Sequence, residues 1–339
     1  MKNIIVTGGF GLIGYNLIKK LNKKYNNNCK ILICDAGLKN PFPFLKDDLY
    51  EKLNNYEEIP GLDDLKETYV CCSLSKHNIQ YFFGTENIDY VFHLGAIADP
   101  TLFTFENGEF IWEWNIQSTK RLIDVLNSIK NEVYNFFFAS TSEVYGFLPK
   151  GEKATEKTPL YLNPLEGREI YAIGKLLGEN LVLNTLHNAY RKIVGRIFNT
   201  YGFSFYEDNR LIQNLLKWAY LEDYDFYLNN PDAIRSFCYV DDLVNEIISI
   251  LDYDENYLNE KLIVNLGNPK ECYTIKDVVE IFKKVFNVNK KYFIRDKKIV
   301  ESAHREFELS TFEYYCDYKP NVTLEEGLRR LKIEYDKYL

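Results

Sequence analysis

A chain of 339 residues is about twice the usual ~150-residue domain, so one large or two modest domains are expected. Hydrophobic residues at 46% and charged residues at 27% exclude long disorder, a fibrous repeat and a membrane bundle. The balance of 41 basic against 49 acidic residues, net −8, argues against nonspecific attraction to nucleic acid or anionic lipid. No apolar run approaches the ~18–20 residues of a spanning helix, and the first residues do not form a secretory signal, so no membrane association and a cytoplasmic location are expected. The seven cysteines and four histidines are scattered without metal-ligand spacing, and no metal site is expected.

In chain order, NIIVT (3 to 7), KILIC (30 to 34), TYVCC (68 to 72), DYVFH (89 to 93), NFFFAS (135 to 140) and KIVGR (192 to 196) are continuous apolar runs. Such runs predict strands buried on both faces, hence a parallel sheet. Helical spacing marks Leu12 to Lys24, Ile116 to Ile129 and Ile170 to Leu186. The stretch Gly37 to Glu67 is too long for a simple connection and predicts a surface excursion with its own helix. Later come amphipathic stretches at Leu211 to Tyr220 and Val240 to Leu251, a strand at 262 to 267, and helices at 274 to 286 and 324 to 339. The fold class is therefore α/β: a Rossmann-type doubly wound parallel sheet followed by a smaller mixed α/β unit.

TGGFGLIG (7 to 14) lies between the first strand and first helix, where a dinucleotide fingerprint belongs. Gly8, Gly11 and Gly14 let the backbone turn tightly and meet a pyrophosphate at the helix start, with Phe10, Leu12 and Ile13 completing the turn. Asp35 ends the second strand, where its carboxylate can accept from ribose hydroxyls and would repel a 2′-phosphate, favouring NAD over NADP. A turn-capping role is the plainer alternative for Asp35. After the fourth strand, Leu94, Gly95 and Ala96 suit a backbone passing close to the cofactor.

ASTSEVYG (139 to 146) ends the fifth strand, and Tyr171 and Lys175 stand four apart on one helix face. A free tyrosine has pKa ~10. A cation ~4 Å away contributes ~4 kcal/mol at an effective dielectric of ~20, before desolvation offsets it. Tyr171 is thus a candidate base and Lys175 its charge partner and ribose ligand.

From TGGFGLIG through Thr141, Tyr171 and Lys175 to RIFNTYG (196 to 202), IRSFCYVDDLV (234 to 244), NLGNP (265 to 269) and LEEGL (324 to 328), the chain resembles extended short-chain dehydrogenases/reductases of the nucleotide-sugar epimerase/dehydratase/decarboxylase group. The resemblance implies an NAD-dependent enzyme that transiently oxidises C4 of a nucleotide-diphosphate sugar. It implies a dinucleotide unit over 1–199, rejoined by 237–262, and a nucleotide-sugar unit from 200–236 and 263–339. It also implies a homodimer. By position, Thr141 would bond the C4 oxygen, Ser142 and Asn199 would touch substrate, Arg168, Arg210, Arg235 and Arg305 would meet its anionic groups, and Ser73 and Leu74 would flank adenine, with Ser73 replacing a common Asp.

Glu143 beside Thr141 is shared with sugar 4,6-dehydratases and UDP-glucuronate decarboxylases, and would serve as a C5 base in the former. RIFNTYG, IRSFCYVDDLV and the HRxx(D/E) pattern around Arg305 look closest to the decarboxylases. Phe203-Ser204 in place of Pro-Arg, and Gly167 in place of proline, depart from them. A dehydratase, a 4-epimerase and a non-catalytic NAD(H) sensor are the alternatives.

Overall fold

The computed structural model describes residues 1–37, 40–55, 60–62, 65, 67–104, 106–149, 151–253, 260–295 and 304–339. Seven parallel strands form the main sheet: β1 (Lys2–Thr7), β2 (Cys29–Cys34), β3 (Glu67–Cys71), β4 (Ile88–His93), β5 (Val133–Thr141), β6 (Ala189–Ile197) and β7 (Lys261–Leu266). Their order is β7-β6-β5-β4-β1-β2-β3, so the chain reverses direction of travel between β1 and β4. Ligands of open α/β sheets bind at such a switch, outside the carboxyl ends of the strands.

Alternate residues of the inner strands feed two separate cores, the reason they carry continuous apolar runs. β3 differs: it stands at the sheet edge with Val70 exposed and no residue fully buried, unlike the expected burial of 68 to 72 on both faces. Ile4, Val6, Ile31, Ile33 and Phe92 pack with Leu17, Ile18 and Leu21 of the helix Leu12–Lys24 and with Leu243 and Ile247 of the helix Val240–Asp252. Ile5, Leu32, Val91 and Phe136 face the opposite layer, with Ile79, Ile123, Leu126 and Val182. These last come from the helices Lys76–Phe83, Ser118–Ser128 and Ile170–Thr185.

Leu12–Lys24 and Leu211–Tyr220 match the predicted spans, and the other helices expected after residue 129 agree in their starts to within one residue. The helix expected from Ile116 differs: helical structure begins at Gly108, widens to a π-turn over Trp112–Gln117 and resumes at Ser118. The helix Lys76–Phe83 falls in none of the expected spans, although Ser75 caps it by accepting from the Asn78 N–H and Gly84 ends it at positive φ. The strand Lys261–Leu266 pairs with β6 along its whole length, so the expected unit boundary at residue 262 falls inside the sheet.

The smaller unit is built on a four-stranded sheet ordered Cys272–Thr274, Ile234–Ser236, His304–Phe307 and Lys153–Ala154. Its last strand comes from the N-terminal half of the chain. Part of the expected 37 to 67 excursion lies outside the described residues; the rest contains the helix Asp47–Asn55. It docks on the segment after Gly202: Phe42 N–H donates to the Phe205 carbonyl at 3.0 Å, and Tyr206 Oη donates to the Leu53 carbonyl at 3.3 Å. Phe203 turns inward, its ring 4.8 Å from both Phe205 and Tyr335. Phe203-Ser204 is thereby buried in an aromatic seam. Among the described residues no helix is long and apolar enough to cross a membrane.

Glu246, in Val240–Asp252, is completely buried. Burial pushes its carboxyl well above the ordinary range; the Gly267 N–H opposes this and the nearby Asp242 adds to it. A raised folded pKa gives stability that is present below the unfolded value and is lost as pH rises through the folded one. Glu246→Gln keeps the shape without the ionisation, so its stability relative to wild type should climb by up to about 1.4 kcal/mol per pH unit above pH ~4.5. Urea midpoints at pH 5, 6.5 and 8 measure this; parallel curves for the two proteins would contradict it.

Candidate functional site

β1 ends at Thr7, and the chain turns through Gly8 to Gly11 into the helix Leu12–Lys24. Gly8 has φ +69°, and a β-carbon there would lie 2.7 Å from the Gly95 backbone; one on Gly14 would lie 2.2 Å from the Gly8 carbonyl. Only glycine permits this approach of two loops and a helix start. Gly11 stands at the N-cap and brings no side chain, so a phosphate can take the first-turn N–H groups. Gly8, Gly11, Leu12, Ile13 and Gly14 all border a continuous cleft of about 800 Å³. Phe10 does not share this placement: its ring is buried in the core while its N–H donates to Asp35 Oδ2 at 3.0 Å.

Asp35 borders the cleft as well, and its Oδ1 accepts from the Gly37 N–H at 3.1 Å. Turn capping and ribose binding are compatible here, because each carboxylate oxygen bonded by one N–H keeps a second lone pair. Ser73 and Leu74 follow β3 along the same rim.

Leu94, Gly95 and Ala96 leave β4 beside the glycine turn. A buried relay sets their path. Gly95 N–H donates to Thr7 Oγ1 at 3.1 Å, Thr7 Oγ1 is 2.7 Å from His93 Nδ1, and His93 Nε2 is 2.9 Å from Thr119 Oγ1. Thr119 spends its proton on the Asn115 carbonyl, so Nε2 carries the histidine hydrogen and Nδ1 accepts from Thr7. Burial, with Lys175 nearby, pushes His93 down to about 3, keeping it neutral. Asn115, inside the π-turn, clasps the Ile97 backbone: Oδ1 accepts from its N–H at 2.7 Å and Nδ2 donates to its carbonyl at 3.0 Å. Sequence reasoning did not single out His93 or Asn115; a polar residue on the buried side of an apolar helical stretch was the available signal for Asn115.

The helix Ile170–Thr185 brings Tyr171 and Lys175 to the same cleft. Tyr171 is buried and stacked on Phe103 with centroids 4.5 Å apart and planes 9° from parallel, a partner that no motif announces. Burial pushes Tyr171 up to about 12 and Glu143 adds to this, while Arg210 and the nearby Thr141 side chain pull it down. The expected charge partner, Lys175, lies one turn further along the helix and borders the same cleft. Lys175 Nζ donates to the Ala139 carbonyl at 2.7 Å and lies 5.0 Å over the Phe138 ring. Burial lowers Lys175 to about 8, opposed by Glu179.

Beyond Tyr171 the cleft turns cationic. Arg305 grips Glu143 with both guanidinium ends, Nη1 to Oε1 and Nη2 to Oε2 at 2.9 Å, and Arg168 Nη2 lies 3.6 Å from Oε2. Arg235 stands directly opposite Arg305 on the neighbouring parallel strand. Burial works to raise Glu143, but Arg305, Arg168 and Arg235 outweigh it and hold the carboxyl below its ordinary range. Ser142, Asn199 and Arg210 border the same cleft. Arg210 Nε donates to Asp208 Oδ2 at 2.5 Å, and the adjacent Asn209 reaches across to Asp99 Oδ2 at 2.8 Å.

The uncapped helix start, the glycine cradle and the carboxylate of Asp35 fit an adenine dinucleotide, with Gly8 to Gly14 at the pyrophosphate and Asp35 at the adenosine ribose. A sequence model of the NAD dependent epimerase/dehydratase family matches residues 4–267, up to the residue after β7. Over 335 residues the chain is 27% identical to UDP-glucuronic acid decarboxylase 6 of Arabidopsis thaliana, covering 98% of this chain and 88% of the plant protein. Two solved structures share the fold. UDP-glucuronic acid 4-epimerase from Bacillus cereus, in complex with UDP-glucuronic acid and NAD, superposes with a TM-score of 0.78 at 23% identity over 99% of this chain and 100% of that one. dTDP-glucose 4,6-dehydratase from Bacillus anthracis, in complex with NAD, gives 0.73 at 21% over 99% and 97%. With that match over most of its length, and a cleft shaped for the dinucleotide, the chain belongs to the NAD dependent epimerase/dehydratase family and is an NAD-dependent enzyme.

Proposed function

We propose that the protein decarboxylates a UDP-glucuronate-like nucleotide sugar through transient oxidation at C4. The observation that carries this reading is the state of Glu143. A carboxylate held by Arg305 and Arg168, and drawn below its ordinary range, is a weak base, whereas dehydration needs a base for the C5 proton. Decarboxylation needs no second base: once C4 is a ketone, a C6 carboxylate belongs to a β-keto acid and CO2 leaves with the bonding pair remaining at C5.

The arginines supply the complementary charge. Arg168, Arg235 and Arg305 face two carboxylates, Glu143 and Glu169, the latter pushed up by burial and by Glu143. Like charges directly opposite on paired strands are unfavourable, and Arg235 facing Arg305 in register is accounted for by an anion between them. A planar guanidinium suits either the hexuronate carboxylate or the diphosphate.

In this reading Tyr171, ionised to its phenolate, removes the C4 hydroxyl proton and becomes the neutral phenol, with Thr141 bonding the same C4 oxygen. NAD, held by the glycine turn and Asp35, would supply the acceptor for the C4 hydride and its return once CO2 has left and C5 has been protonated. Lys175 holds the ribose side of the cleft, while Asn199 and Arg210 meet the sugar or diphosphate. A homodimer is part of the proposal, supported by the apolar side chains Phe110, Trp112, Ile173 and Leu177 exposed on the helical run from Gly108 and on the Tyr171 helix.

The test is incubation with UDP-, GDP-, dTDP- and CDP-sugars, UDP-glucuronate among them, followed by product masses. Loss of CO2 from UDP-glucuronate is the expected result. Loss of water would assign a dehydratase, and unchanged mass with altered retention a 4-epimerase. Tyr171→Phe should cut turnover by ~10²–10⁴, the usual worth of a positioned acid–base group, and near-normal turnover would remove the phenol from the chemistry. At the other end of the cleft, Asp35 should make NAD bind at least ~10-fold more tightly than NADP, about 1.4 kcal/mol. Calorimetric titration of both decides it, with equal affinities counting against Asp35 as the ribose ligand.

A further inference from the structure

Tyr171, Lys175 and Glu179 stand at intervals of four on the helix Ile170–Thr185, so all three point toward one side of it. The first two belong to the chemistry proposed above. The third is buried with side-chain exposure of 3% and lies below the cleft floor. Its side chain bonds one residue that borders the cleft, Ser140, and one buried cation, Arg196. Glu179 Oε1 accepts from the Ser140 hydroxyl and, at 3.0 Å, from Arg196 Nε; Oε2 accepts from Arg196 Nη2 at 2.8 Å.

Ser140 is the middle of three consecutive residues at the end of β5 that each meet this helix. Ala139 gives its carbonyl to Lys175, Ser140 gives its hydroxyl to Glu179, and Thr141 lies beside the Tyr171 side chain. Glu179 thus adds a second bonded tie between strand and helix, and its carboxylate favours the ammonium form of Lys175. The other titratable groups around Lys175 do not share that work. His93, from β4, is neutral, and Arg196, from β6, carries the same sign as Lys175.

We propose that Glu179 is a positioning residue of the reaction: it is the buried counter-charge that keeps Lys175 an ammonium ion and, through Ser140, holds Thr141 in register with Tyr171. This rests on the catalytic reading of Tyr171 and Lys175. A neutral residue at 179 leaves Lys175 and Arg196 as two buried cations without their shared carboxylate. Arginine does not give up its proton in proteins, so the lysine must. Burial already lowers Lys175 to about 8, and losing Glu179 moves the loss of its charge toward neutrality.

The experiment compares wild type, Glu179→Gln, Glu179→Asp and Tyr171→Phe on whichever nucleotide sugar the wild-type enzyme turns over, reading kcat against pH from 6 to 10 with NAD saturating. In Glu179→Gln the falling alkaline limb should move down by about one pH unit or more, with kcat at pH 8 reduced at least about fivefold. Glu179→Asp should return the limb toward its wild-type position because the charge is restored. Its kcat should stay severalfold low, because the shorter side chain withdraws from Ser140. Were Glu179→Gln to lose thermal stability while keeping the wild-type limb, Glu179 would be structural and the inference overturned. Should Glu179→Gln not fold, Glu179→Asp carries the test, and a wild-type kcat there overturns the link through Ser140. The two readings fail separately: full activity in Tyr171→Phe sinks the catalytic assignment, while an inactive Tyr171→Phe beside an unshifted Glu179→Gln sinks the positioning role alone.

Discussion

A buried ammonium needs an acceptor, and Lys175 finds one in the Ala139 carbonyl 2.7 Å away. That bond pins the helix Ile170–Thr185 to the end of β5, and the rest of the site follows from it. Close approach is possible because Gly178 faces the sheet: a β-carbon there would lie 2.5 Å from the Phe138 ring. With the helix drawn in, Tyr171 comes level with Thr141 at the strand end, and the adjoining turn Ser142–Tyr145 sends Glu143 toward the arginines of the small sheet. One helix-to-strand contact thus aligns the dinucleotide end of the cleft with its cationic end.

The main architecture was legible because burial on both faces writes itself into composition. The six strands other than the edge strand β3 show that burial as apolar runs, and the glycine turn is marked because backbone approaches closer than van der Waals contact to a β-carbon leave glycine no substitute. The smaller unit was far less legible. Its strands run only two to four residues and are paired through long-range register, as between Ile234 and His304 or Glu306 and Lys153. Such strands are too short for any period to show.

Within the site, residue types were legible and their environment was not. The Tyr171–Lys175 spacing predicted a charge beside a phenol, but spacing says nothing about the Ala139 carbonyl that captures the ammonium, nor about Phe103 covering the ring. The widened turn at Trp112–Gln117 has the same character. An ordinary helical period does not announce it, yet it accompanies the placement of Asn115, whose amide holds the loop bearing Ile97.

Charge is graded along the cleft in a way that orders its occupants. Asp35 stands at one end, where a dinucleotide presents ribose hydroxyls; the uncapped helix start and its glycines follow, where the pyrophosphate belongs; Arg168, Arg235 and Arg305 stand beyond Tyr171. On the proposed reading, a phosphate on the adenosine ribose would be repelled by Asp35 and an anionic sugar nucleotide drawn to the arginines at the far end. Glu143 then has its use without acting as a base. Three arginines left to themselves would repel one another and splay, and a carboxylate held between Arg305 and Arg168 keeps them converged. On the proposed reading Glu143 is the counter-ion that shapes a receptor for the substrate's own negative charge, in place of a second proton acceptor.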